Sequence, residues 1–172
     1  MNRFVVTLAA LAGMIPVIFP SMTHAAEKSE QTALAAALKG TKVTLEDGLK
    51  ASAREGKPIS AKFEVAEDGK LQLSVYTEKS GEFSEVVVDP QTGEVAGAEK
   101  ITDPGDLDAA TKQEVAMGKA TVSLLAATDK AIKAHPGYRA VSSFPGLTAG
   151  HPTAEVTLLR GQTFKKVAEK LG

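Results

Sequence analysis

The chain has no cysteine and no tryptophan, few aromatic residues, and no large excess of either charge. The missing cysteine excludes disulfide staples, thiolate metal centres, a cysteine nucleophile and a lipid-bearing N-terminal cysteine. Such a chain, if exported, must be stabilised by its own core, and its 172 residues suffice for one domain or two small ones. With aromatics at 5% there is little to stack single-stranded bases on, and a formal charge of −1 supplies no pull toward polyanions. Nucleic acid and anionic lipid are therefore not expected as partners.

Long apolar runs are scarce too. The single candidate, Phe4 to Phe19, is interrupted by Pro16 and falls short of the roughly 20 residues a spanning helix needs. Arg3 precedes it, and Thr23-His24-Ala25 follows with small residues at a cleavage position. That order reads as an export signal over residues 1–25, with Ala26 as the new N-terminus. The mature product is expected in the periplasm or secreted, with no membrane span.

What the chain does have is alternation. Ala61, Phe63 and Val65 alternate with polar neighbours, then Leu71, Leu73 and Val75, then Val86 and Val88. Turn signals at Glu67-Asp68-Gly69-Lys70 and Glu78-Lys79-Ser80-Gly81-Glu82 separate the three segments. A period of two puts the apolar side chains on one face, so an antiparallel meander with a single covered side is expected. Upstream, Thr32 to Leu38 is alanine-rich and stops at Gly40, as a short helix would. A second helix should start at Thr44, which can cap it, with Glu46 and Asp47 in its first turn. Leu45, Leu49 and Ala53 lie on one stripe of that helix before Gly56-Lys57-Pro58 ends it. The stripe and the apolar sheet face are natural partners, which makes the fold class α+β.

The second half repeats this plan. After Asp103-Pro104-Gly105-Asp106, the pattern from Leu107 to Ala134 is helical, with Gly118 a point of division. A shift of about 80 places Leu45 on Leu124, Ala61 on Ala140, Val75 on Val156 and Val86 on Val167. The expected organisation is a first unit over residues 26–101, a connecting segment over 102–118, and a degenerate second unit over 119–172. Its strands would run near Tyr138–Ser143, Ala154–Leu159 and Phe164–Glu169. Phe164, Val167 and Leu171 also fit a helical stripe, so a terminal helix over Thr163–Leu171 stays open.

Signs of chemistry are sparse. His135 and His151 each stand beside a proline, in a helix stop and an expected loop, without the spacing of a zinc site. Asp103, Asp106 and Asp108 depart from calcium-loop spacing, and Asp106 reads as the N-cap of the next helix. No G-x-S-x-G elbow accompanies the serines, and Gly146 to Gly150 reads as a flexible loop. Glu64, Glu67, Glu78, Glu82 and Glu85 alternate with apolar residues and should face water. No catalytic residue, metal ligand or cofactor site is assigned, and the chain reads as a non-enzyme. The remaining candidate is a surface: Gln72, Ser74 and Tyr76 on one strand and Glu85 and Val87 on the next point away from the apolar face. A tyrosine and a valine exposed together on a sheet would suit a protein partner.

Several of these residues together resemble a PepSY domain. They are the helix leading into Ala61-Lys62-Phe63-Glu64, then Asp68-Gly69-Lys70, Val75-Tyr76, and above all the run Glu85-Val86-Val87-Val88-Asp89-Pro90-Gln91-Thr92-Gly93-Glu94-Val95. The second half lacks the D-x-x-T-G-E ending. The resemblance implies a helix packed on an antiparallel sheet and a role in restraining or regulating an envelope peptidase. A cavity binding a small ligand or metal is the competing expectation.

Overall fold

A computed structural model of the protein describes residues 21–66 and 68–172. The expected export signal therefore lies outside the described residues except at 21–25, and Glu67 lies outside them too. Among the described residues four helices, α1 (Ser21–Ala37), α2 (Leu45–Ser52), α3 (Pro104–Gly118) and α4 (Leu124–Ala134), accompany seven strands. The strands are β1 (Lys57–Val65), β2 (Leu71–Lys79), β3 (Glu82–Val88), β4 (Val95–Lys100), β5 (Arg139–Thr148), β6 (His151–Arg160) and β7 (Thr163–Lys170). The fold is α+β. The two helix–meander units join edge to edge in one sheet ordered β4-β3-β2-β1-β5-β6-β7, antiparallel throughout.

Local chemistry explains the elements. Thr44 Oγ1 accepts from Asp47 N at 3.1 Å and Asp47 Oδ2 accepts from Thr44 N at 3.0 Å, a complete capping box at the start of α2. Ser123, at the equivalent place in the second unit, caps α4 by accepting from Ala126 N. Ser80 and Gly81 both have positive φ and make the two-residue β2–β3 turn, and Ala149 and Gly150 do the same between β5 and β6.

Several expectations need correction. The N-cap of α3 is Asp103, whose carboxylate accepts from Gly105 N and Asp106 N, with Pro104 at the first helical position. Asp106 sits in the first turn instead. Residues 146–150 are not a loose loop: β5 runs on to Thr148, which pairs with His151, so His151 opens a strand. Val95 to Lys100 adds a fourth strand to the first meander. Residues 163–170 form β7, not a terminal helix, because a strand there completes the ladder to β6. Val65, expected inside, is exposed at the end of β1.

The inner face of the sheet carries Ala61, Phe63, Leu73, Val75, Val86, Val88, Ala154, Val156 and Leu158, all buried. α2 covers it over β1–β3 and α4 over β5–β7, and the two helices touch. One polar pair enters this core, where Thr128 Oγ1 of α4 donates to Ser143 Oγ at 2.9 Å. The outer face is not left wet, against expectation. α3 crosses it over β1, β5 and β6, and α1 lies against β1. The outer face is covered at the centre of the sheet, because the inner-face helices leave the outer side of β1 and β5 for α3 to pack on. The β1–β5 seam itself is short, with Ala61 opposite Ser143 and Lys62 opposite Ser142. Pro58 and Pro145 lie further along these strands and bring no N–H to a ladder. Arg139 of the second unit clamps the first: its Nη1 donates to Thr41 O at 3.0 Å and its Nη2 to Val43 O at 2.7 Å.

Candidate functional site

Alternation puts one polar row on the outer side of the first meander. Ser60, Lys62 and Glu64 of β1 stand opposite Tyr76, Ser74 and Gln72 of β2. Tyr76 and Ser74 in turn stand opposite Glu85 and Val87 of β3. The five sequence-predicted surface residues thus do share a face, but they do not share an environment. Ser74 is only 1% exposed, and Tyr76 is half-buried beside α3. The expectation that both present themselves to solvent is corrected by the helix above them. Gln72, Glu85 and Val87 remain partly exposed.

The row is knit by hydrogen bonds. Gln72 Nε2 donates to Ser74 Oγ at 2.7 Å, and Ser74 Oγ donates to Glu64 Oε1 at 2.9 Å. Lys62 Nζ reaches the other oxygen, Glu64 Oε2, at 2.5 Å. Glu64 is therefore a member of a partly buried network and does not simply face water. Ser74 has its proton directed to a carboxylate and accepts from an amide, which fixes its rotamer. The Tyr76 hydroxyl meets Asp106 of α3. Burial raises its pKa above the ordinary phenol range, and the Asp106 contact and the charges of Glu85 and Glu64 add to the shift.

Two cavities flank this network. A small polar one of about 160 Å³ lies under α3, lined by Ser60, Ser74, Tyr76 and Gln113 among others. Gln113 Oε1 is buried there without a partner. A larger cleft of about 660 Å³ separates α1 from the outer face, with Leu34, Phe144 and Phe164 as apolar walls and Lys62 and Glu64 at its floor. Lys62 and Phe144 line both. Sequence reasoning missed Ser60, Asp106 and Gln113. The signal for them was available in α3, where Leu107, Ala110 and Met117 are buried or half-buried at helical spacing and mark a face that must cover something.

The histidines are far from this row in role. His135 ends α4 with Nδ1 2.9 Å from Ala131 O, and His151 is exposed at the head of β6. Among the described residues no three histidine or acidic side chains converge as metal ligands would. Among them, too, no helix is long and apolar enough to cross a membrane.

No known protein family, curated protein or solved structure matches the chain.

Proposed function

We propose that this is an exported, non-enzymatic binding protein that regulates a protein partner through the outer flank of its sheet, an envelope peptidase being the first candidate. The observation that carries this is the state of β3 and β4. α3 packs over β1, β5 and β6, and beyond it Glu85 and Val87 stay half-exposed while β4 is exposed along nearly its whole length. A valine and a carboxylate on rigid strands, with Gln72 and the edge of Tyr76 beside them, offer a preorganised contact surface with low ordering cost. The PepSY-like sequence of the same strands supports a peptidase as the partner, with the role belonging to that family by analogy.

The test is a titration of the mature chain, starting at Ala26, against purified envelope peptidases. Inhibition should saturate at a fixed stoichiometry, and Val87→Asp should weaken it at least about tenfold, the scale of losing one well-packed anchor. The melting temperature of that variant should stay near that of the parent. Inhibition unaffected by Val87→Asp and Glu85→Lys would remove this surface, and absence of inhibition across the panel would remove the peptidase role. A second reading, small-ligand binding, is favoured by the cleft under α1, whose size falls in the range of ligand sites. A ligand bound there would raise the melting temperature without any protein partner.

A further inference from the structure

A third cavity, of about 450 Å³, opens at the other end of the molecule, where α2, α3 and α4 meet the start of β1. Leu49 of α2 and Ala53 just past its end, Pro58 of β1, Met117 of α3, and Leu124 and Leu125 of α4 form its walls. Lys50 and Lys57 also line it, and over the described residues its lining contains no carboxylate. Lys57 is held at this place by donating from Nζ to Met117 O at 3.3 Å. The cavity also takes in the N-terminal end of α4, whose first turn carries no acidic residue, so the helix dipole adds to the positive field of the two lysines.

The internal repeat sharpens the point. Val122, just before α4, corresponds to Val43, just before α2. Val43 is 7% exposed and packs under the turn at Gly93. Val122 is 37% exposed and lines the cavity mouth. The same apolar position is covered in one unit and open in the other.

We infer that this cavity is a binding site for a medium-chain aliphatic carboxylate. An apolar hollow gains by excluding water from an aliphatic chain, and a carboxylate at its mouth meets the ammonium groups of Lys57 and of Lys50, the latter shared with Glu46 and Asp47 one turn back on α2. A neutral chain would gain only the first of these.

The experiment titrates the full mature chain with decanoate and with decanol, each below its aggregation limit, followed by amide chemical shifts and calorimetry. Decanoate should saturate one site and shift the amides of Leu49, Met117, Val122 and Leu125. Decanol should bind at least about tenfold more weakly, the scale of one charge-assisted contact. The double variant Lys50→Glu/Lys57→Glu should lose decanoate by a similar factor while keeping its decanol affinity. If that variant melts early, Val122→Glu, which brings an acid to the exposed mouth, repeats the test. Equal affinity for decanoate and decanol would overturn the inference. So would shifts that map to the cleft under α1, or an acetylated dileucine acid binding where decanoate does not.

Discussion

At the residue scale, Gly48 shows how packing overrides propensity. It lies inside α2, where alanine is better by about 1 kcal/mol in an open helix. Yet a Cβ at Gly48 would stand 2.5 Å from Leu73 Cδ2, and Leu73 is fully buried. Overpacking of this kind costs about 1–3 kcal/mol, which less the helix gain of about 1 kcal/mol leaves Gly48→Ala destabilising by up to about 2 kcal/mol in urea denaturation. Gly97→Ala is the matched control, because nothing lies within 4 Å of a Cβ there, and it should be neutral or slightly stabilising. Asp47 supplies a pH-dependent counterpart. The Thr44 amide, then its hydroxyl, holds the Asp47 carboxylate below its ordinary pKa. A lowered folded pKa means stability that is present above the ordinary aspartate range and lost as pH falls through the folded value. Asp47→Ala should therefore cost about 0.3–1 kcal/mol at neutral pH, the scale of a solvent-exposed acid at a helix N-terminus. The gap between parent and variant should close over about pH 5 to pH 2, read as denaturation midpoints.

At the element scale, the question is what α3 does to the outer face. Without it, Tyr76 would be a surface residue and an acid there would be tolerated. With it, Tyr76→Asp sets a new carboxylate beside Asp106 and near Glu85 and Glu64, the groups already felt by the phenol. Like charges in a partly desolvated pocket repel strongly. Tyr76→Asp should lower the melting temperature clearly more than Val87→Asp and speed amide exchange along α3. Tyr76→Phe should cost far less than Tyr76→Asp, because it brings no charge to the pocket. If Tyr76→Asp and Val87→Asp melt alike, α3 does not hold the face as described. Turn chemistry, by contrast, was legible at this scale. Ser80-Gly81 closed its hairpin as read, whereas Ala149-Gly150 was hidden because Gly146 and the neighbouring prolines disguised the end of β5.

At the scale of the whole molecule, the two units share one sheet through a short seam, with further contacts across it. Only two residue pairs join β1 to β5. Cohesion comes from the α2–α4 contact, α3 lying over both β1 and β5, and the Arg139 clamp on Thr41 and Val43. Residues 26–101 alone would expose the edge of β1 and the inner face at the α4 boundary. That fragment should show no cooperative thermal transition, whereas the full chain should melt in a single step by circular dichroism. Mixing it with residues 102–172 should restore the transition. A cooperative melt from either fragment alone would show that the units are independent.

The sequence by itself determined the first three strands of the first meander, the capped start of α2, the inner apolar face and the repeat. Each of these is written in local order: a period of two or of 3.6, a hydroxyl or carboxylate at a cap, and a glycine at a turn. The tertiary structure alone decided that the repeats share one sheet, since Ala61 meets Ser143 across a separation no local pattern encodes. It also decided which side chains were buried by a distant helix. Ser74 is polar, alternates correctly and reads as solvent-facing, yet α3 closes the face above it. Glu64 likewise became a hydrogen-bond partner because β1 and β2 paired in the register that brings Gln72 and Ser74 to it. Alternation fixes the face on which a side chain stands, and only the packing of the remaining elements fixes whether that face meets water.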